Sequence, residues 1–520
     1  MSTIEAAITA EAEKLIRRHE MYMTNLAAEQ RRKSVRSGLQ VPKLIQIPAH
    51  WSIARGFDPY YTKKHAKAIA RSIERKLASR EYLPRPAFQY SVPKADGTIR
   101  RVSLFQVADS ALSRLTFQRL MSKNARHFSA NAYAYRHDLS IHDAILHIGS
   151  DLRRRSRLYL AEFDFAKFFN SIAHKHILKM LDDRRFFVTL RERFIIERFL
   201  ATPTYEAHEY IGPHKNVLRD SGIPQGTSIS LFLANLAAYP LDKHLERLGV
   251  GFARYADDTL IWSESYSEIV RSANALEDAG VELNFLKSKG ITLLAPRGFP
   301  AELPAQSSVN FLGYKINQKH LSIRPESVRK IKNHISFLIY QNLLQEPKRG
   351  HFVSDRILGE GKIDLDYPVL IYQLRRYLYG GLSEAMLRRF LYRQTPNLRF
   401  KGLMSFYPIV DDEPLLRKLD GWMLASVVRA IKLRGQLWNA YFPGQLPTPH
   451  GKTPAQILEL RHNPLSGPLV DLRFPSFQRI SKLLRRAAAT YGAGAIANAK
   501  SATYYSPTIK ISGTEYSGPQ

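Results

Sequence analysis

The sequence contains no cysteine. That removes disulfides, thiol nucleophiles and cysteine-ligated zinc together, so any metal must be held by carboxylate or imidazole. It also lacks an apolar run long enough to cross a bilayer and a basic-then-apolar leader at its start. The expectation is a cytoplasmic protein with no membrane partner. Acidic residues are scarce beside basic ones: 46 Asp and Glu against 77 Lys and Arg, a formal net charge of +31 over 520 residues. Solubility requires far less, and the excess runs along the whole chain, which points to a polyanion as partner, nucleic acid first. No repeat of roughly 20 to 50 residues stands out. What is present, 44% hydrophobic and 24% charged residues, fits a folded chain with several domains.

The N-terminal stretch through Ser37 is rich in Ala, Glu, Leu and Arg and predicts a helix that stops at Gly38, with Pro42 soon after. It ends in a basic cluster, Arg31, Arg32, Lys33 and Arg36, which reads as a solvated helix face or, given a nucleic-acid partner, as a contact with it. From about 85 to 320 short β-branched and aromatic runs alternate with helical stretches, a mixed α/β region. Beyond about 322 the pattern is helical. Leu416, Leu419, Met423, Val427 and Ile431 fall at helical spacing and predict one buried stripe. The segment 501–520 is polar, holds Gly and Pro, and reads as a flexible tail.

Two carboxylates stand out in this basic chain. In "FARYADDTLIW" (252–262) strand-prone runs flank Asp257 and Asp258, which places them side by side at a hairpin tip. Like charges so close stay ionised together only if a cation or hydrogen bonds offset them. A third acid, Asp164, ends the apolar strand of "LYLAEFDFAKFFNSI" (158–172). Three hard oxygen donors suit Mg²⁺, with Mn²⁺ as a substitute, and two such ions can clamp the attacking and leaving oxygens of a phosphoryl displacement.

The same residues carry a family resemblance. "FDFAKFF" and "YADD" resemble motifs A and C of reverse transcriptases, and the family's other motifs stand in order around them. "YSVPKADGTIRRVSLF" (90–105) resembles the fingers pattern PK-x-DG-x-x-R, and "NAYAYRHDLSIHDAI" (131–145) the stretch GFRP-x-x-S-x-x-DA. "SGIPQGTSISLFLANLAAYPLD" (221–242) is similar to motif B, "VELNFLKSKG" to motif D and "VNFLGYKI" to motif E. The resemblance covers residues 88–317. It implies an α/β right-hand polymerase of fingers, palm and thumb with a mainly α-helical C-terminal domain. The corresponding division is an N-terminal helical extension (1–50), fingers and palm (51–320), helical thumb (321–400), helical C-terminal domain (401–500) and tail (501–520).

Roles follow from the resemblance. Asp164, Asp257 and Asp258 are implied as the carboxylates of a two-Mg²⁺ site, with the backbone carbonyl of Phe165 as a further ligand. Lys94 and Arg100 are implied over the incoming triphosphate, with Arg101 as a substitute or a solvated strand residue. Phe169 stands where the family places an aromatic wall against a 2′-hydroxyl, and Phe168 is its rival. Gln225 and Gly226 match the pair beside the nascent base pair. Lys287 matches the general acid for pyrophosphate departure, with Lys289 as its rival. Tyr255 is expected near the primer end, and Arg136 either faces template or belongs to the fingers structure. His174 and His176, two residues apart, do not share a helix face and are expected to be ordinary surface residues.

Nothing resembles an HNH endonuclease or an RNase H constellation, and the retron tripeptide VTG has no counterpart in "SIRPESVRK". The compact remainder is most similar to bacterial defence-associated reverse transcriptases of the abortive-infection and unknown-group classes. These use a dedicated non-coding RNA as well as RNA template, dNTPs and DNA product, and a homo-oligomer is compatible with them. Group II intron-type polymerases are the nearest alternative, and a non-catalytic RNA-binding protein or an RNA polymerase on the same scaffold are others. Tyr504, Tyr505 and Tyr516 in the tail are candidates for priming synthesis from a protein hydroxyl.

Overall fold

The computed structural model describes residues 2–42, 46–93, 99–165, 168–183, 185–206, 210, 219–278, 290–296, 303–353, 356, 363–380, 384–392, 400, 402–444, 446–464 and 469–493. Helix α1 (Thr3–Ser37) starts where the Ser2 hydroxyl accepts the Glu5 amide and ends at Gly38, whose φ of 70° turns the chain out of the helix. At about 1.5 Å per residue it is roughly 50 Å long. Its first turns bury Ile4 and Ile8 against the N-terminal part of the chain. Its last turn reaches the C-terminal helices: Arg36 is buried and donates from Nη1 to Asn342 Oδ1 at 2.7 Å. Arg36 is therefore a tie between distant parts of the chain, against its reading as part of a solvated or nucleic-acid-facing cluster.

Helices α2 (Pro59–Lys64) and α3 (Ala66–Ala78) lead to the hairpin β1 (Ala87–Pro93) and β2 (Ile99–Leu104), paired in antiparallel register from Phe88↔Leu104 to Pro93↔Ile99. Helix α4 (Val107–Asn124) buries Asp109, where Oδ1 accepts the Tyr82 hydroxyl at 2.7 Å and Oδ2 the Arg85 amide at 3.1 Å. Burial raises this carboxyl to about 6, against the Tyr82 and Arg85 hydrogen bonds that lower it. A raised folded value means that its contribution to stability is full below the ordinary carboxylate range and is lost as pH rises through about 6. Asp109→Asn is accordingly expected to gain on the wild type in urea unfolding as pH is stepped from 4 to 7. A constant difference across that range would contradict the assignment.

Helix α5 (Ile141–Arg153) begins with a capping box between Ser140 and Asp143 and precedes β3 (Leu158–Asp164). Further along come α6 (His174–Leu181), α7 (Leu190–Ala201), the short β4 (Thr204–Tyr205) and α8 (Ile229–Leu248). The hairpin β5 (Gly251–Tyr255) and β6 (Asp258–Ser263) follows, then α9 (Tyr266–Asp278), β7 (Gly290–Leu294) and β8 (Ala305–Gln306). The central sheet runs β5-β6-β3-β7-β8.

Strand alternation sends the two faces of that sheet into different cores. Leu158, Leu160, Leu260 and Trp262 pack with Ile145, Ile148 and Leu152 of α5. Ala161, Phe163, Phe252 and Ile261 pack with Phe232, Leu233 and Leu236 of α8.

A second small sheet, β9 (Val309–Phe311), β10 (Tyr314–Ile316) and β11 (Leu321–Ile323), turns at Leu312 and Gly313, both with positive φ as a tight hairpin demands. Its inner residues extend the first core into helices α10 (Pro325–Ile339), α11 (Asp366–Tyr379), α12 (Glu384–Leu391), α13 (Glu413–Asn439) and α14 (Phe477–Tyr491). The stripe Leu416, Leu419, Met423, Val427 and Ile431 is buried in α13 as its spacing predicts. One continuous core thus joins the central sheet to the C-terminal helices. No helix among the described residues is long and apolar enough to cross a membrane.

Candidate active site

The site is set by strand register. Asp164, the last residue of β3, lies directly opposite Asp258, the first residue of β6, and Asp258 in turn closes the β5–β6 hairpin opposite Tyr255. Only Ala256 and Asp257 form the turn, so Asp258 belongs to the strand and not to the hairpin tip. Ala256 has a φ of 62°, which glycine would adopt freely and which costs an alanine about 1–2 kcal/mol. Asp257 is half-buried and Asp258 exposed. The Asp164 side chain lies outside the described residues, and among those described no three carboxylates or imidazoles gather around one point.

The strain at Ala256 is opposed from beneath the sheet. Arg254 and Asp242 are both almost completely buried and form a two-pronged ion pair, Nε to Oδ1 and Nη2 to Oδ2, each 2.6 Å. Nη1 donates to the Ala256 carbonyl at 3.2 Å and to Asn235 Oδ1 at 3.3 Å. Asn235 donates to the Ala134 carbonyl at 2.9 Å, while the Arg254 backbone bonds to Asn131 and Tyr133. Burial raises the Asp242 carboxyl, outweighing the Arg254 guanidinium that lowers it. Such a pair adds little net stability, and its consequence is geometric.

Asn235 and Asp242 fall within the motif B stretch and Arg254 within 252–262, but the resemblance implies no role for any of them. A signal was there: Arg254 shares a strand face with Phe252, and a charge on a core face calls for a buried partner.

The segment 221–226 lies between two parts of the site. Its start runs against the turn after β3: Gly222 N donates to Ile172 O at 2.9 Å, and Ala173 bridges Ser221. Its end docks on β2, where Ser103 N donates to Gln225 O at 2.7 Å. Gln225 Nε2 reaches Asn170 Oδ1 at 3.5 Å. Gly226 has a φ of 121°, and a Cβ there would lie 2.1 Å from the Ser103 carbonyl oxygen. Gly226→Ala is expected to cost more than about 2 kcal/mol in urea unfolding, because backbone strain and a backbone clash add. Gly249→Ala, at φ 71° with open space around it, is the control and should cost about 1 kcal/mol.

The aromatic pair after β3 divides as the sequence left open. Phe168 is buried and packs against Phe165, with ring centroids 5.4 Å apart. Phe169 is half-buried and meets Phe168 edge-on. Tyr255 is half-buried against the first core, which raises its hydroxyl pKa. Arg101 is exposed on β2 opposite Ser91. Arg136 is held by both oxygens of Asp138 and by Ser129 O, which makes it a local brace. His174 and His176 are not plain surface residues: their Nε2 atoms meet the carbonyls of Gly222 at 2.9 Å and Ala237 at 3.1 Å. Lys94, Lys287, Lys289, Tyr504, Tyr505, Tyr516 and the side chain of Arg100 lie outside the described residues.

Residues 92–316 match the family model described as reverse transcriptase (RNA-dependent DNA polymerase). That stretch contains β2, β3, the Gln225–Gly226 segment and the β5–β6 hairpin. Among curated proteins the chain is similar to protein YkfC of Escherichia coli (strain K12), 27% identical over 197 residues, which are 36% of this chain and 48% of YkfC. The chain thus spans about half the length of that relative. Among solved structures it is similar to apo telomerase from Candida tropicalis truncated from its C-terminal domain, at TM-score 0.34 and 12% identity over 46% of this chain and 55% of that one. It is also similar to telomerase from Candida albicans in complex with a TWJ fragment of telomeric RNA, at TM-score 0.35 and 12% identity over 73% of this chain and 66% of that one.

Proposed function

We propose that the chain is an RNA-directed DNA polymerase that transfers nucleotides from dNTPs to a growing 3′ end. One observation carries this reading: the register that sets Asp164 opposite Asp258, with Asp257 in the adjoining turn, inside the stretch matching the reverse transcriptase family. Carboxylates on neighbouring strand ends, with the carbonyl of Phe165 next in the chain to Asp164, are hard oxygen donors and fit Mg²⁺, or Mn²⁺ in its place. Asp164, Asp257 and Asp258 would hold two such ions, which when bound stabilise charge on the attacking and leaving oxygens.

The remaining residues bind and orient. Phe169, left half-exposed while Phe168 packs inward, walls the site against a 2′-hydroxyl. Gly226 lets the backbone approach the base pair, and Gln225 steadies it. Lys94, Arg100 and Arg101 neutralise triphosphate charge, and Lys287 gives a proton to the departing pyrophosphate. In this reading β1–β2 belongs to the fingers, the central sheet to the palm and α10–α12 to the thumb.

The finer assignment is a bacterial defence polymerase working with its own non-coding RNA, with the tail tyrosines as candidate primers. The net charge of +31 supports a nucleic-acid partner bound through its phosphates. Protein purified with the RNA it retains, given Mg²⁺ and labelled nucleotides without primer, should yield DNA from dNTPs and nothing from rNTPs. Product whose gel mobility changes on protease digestion would mark protein priming. Product from rNTPs alone would make it an RNA polymerase.

A further inference from the structure

We infer that Arg254 is the positioning residue of the catalytic turn, fixing the Ala256 peptide and through it the carboxylates of Asp257 and Asp258; this rests on the polymerase reading above. The guanidinium has five N–H groups in one plane. Two of its nitrogens are held by Asp242, and the third divides its donors between Asn235 and the Ala256 carbonyl. Asn235 and Asp242 are seven residues apart on α8, hence on one face of it. The carbonyl of Ala256, in a turn at positive φ, is met here by a charged donor that is itself held by Asp242 and Asn235 of α8. The next peptide unit begins Asp257. Arg254 thereby sets the direction in which the turn presents Asp257 and leads the chain into Asp258.

The same geometry separates positioning from mere support of the fold. Lysine keeps a positive charge for Asp242, but its single ammonium on a flexible stem cannot also span Asn235 and the Ala256 carbonyl. Arg254→Lys therefore releases the turn while leaving the buried carboxylate countered. A second variant approaches the same peptide from the other side: Ala256→Gly leaves the clamp intact and frees the backbone that it steadies.

Both variants and the wild type would be compared in single-nucleotide extension of a DNA primer on an RNA template. The Mg²⁺ concentration for half-maximal rate would be recorded with kcat and the dNTP KM. Mn²⁺ binding, followed by electron paramagnetic resonance, provides a readout independent of synthesis.

Arg254→Lys is expected to lower kcat and Mn²⁺ affinity by about 10- to 100-fold with KM within about threefold, and Ala256→Gly to do the same more mildly. If Arg254→Lys does not fold, Ala256→Gly alone decides. Wild-type kcat and Mn²⁺ affinity in every variant that folds would overturn the inference. A wild type that binds Mn²⁺ yet makes no DNA would instead defeat the polymerase reading, leaving the role of Arg254 to be judged on Mn²⁺ affinity.

Discussion

Asp257→Asn is expected to abolish DNA synthesis, lowering kcat by about 10³-fold or more while the protein stays folded. The substitution preserves shape and removes one charge from a half-buried turn residue that belongs to neither hydrophobic core. The loss should therefore appear in catalysis and not in unfolding. The sign of any stability change is itself informative. Asp257 is adjacent to Asp258, and Asp258 lies opposite Asp164 in the sheet, and like charges so close are a cost to the fold that removing one of them lowers. In metal-free buffer Asp257→Asn should be as stable as the wild type or slightly more so, the usual trade between a strained site and its activity. A variant that loses its activity together with its cooperative unfolding transition would show that Asp257 supports the fold.

The second large effect lies far from those carboxylates, in a buried ionic cluster within the C-terminal helices. Arg434 of α13 donates from Nε and Nη2 to Asp364 at 2.5 and 3.0 Å, and from Nη2 to Asp366 at 2.9 Å. Its Nη1 bonds to the Leu343 carbonyl at 2.9 Å. Arg356 donates to Asp366 at 2.6 Å, and His450 Nε2 stands 3.4 Å from Asp364. Asp364→Ala would leave Arg434 buried beside one shared carboxylate, at an expected cost of about 3–5 kcal/mol in urea unfolding.

The pH dependence follows from the direction of the Asp364 shift. Burial raises its pKa, but the Arg434 guanidinium and His450 outweigh burial and hold it below the usual carboxylate range. Its contribution is thus present above the ordinary value and lost as pH falls through the lowered one. The gap in stability between wild type and Asp364→Ala should be constant near neutrality and close in acid. A gap that widened in acid would contradict the ion-pair account.

Much of this was legible in the sequence. The strand ending at Asp164, the hairpin around Asp257 and the helix stopping at Gly38 follow from local rules, alternation and capping, that act over a few residues. The stripe of α13 is the same kind of signal. Register is partly so: a hairpin with Ala256 and Asp257 at its turn can pair in few ways, but that Asp258 faces Asp164 depends on the distant pairing of β3 with β6.

Partners far apart in the chain left weaker marks. Arg36 reads as one of four exposed cations, and only the fold brings Asn342 to it. Arg254 reads as one more basic residue in a basic chain until Asp242 lies beneath it. His174 and His176 read as surface residues because helical spacing says nothing of carbonyls on a neighbouring segment.

In the proposed reaction the carboxylates at Asp164, Asp257 and Asp258 direct nucleotide transfer. This is tested most directly by mixing purified protein with a DNA primer annealed to an RNA template, adding one complementary dNTP with Mg²⁺, and following the first addition in a rapid-quench experiment. The expected result is one-nucleotide extension by the wild type, none in EDTA, and none above background with Asp257→Asn. Extension that persists undiminished in Asp257→Asn would contradict it.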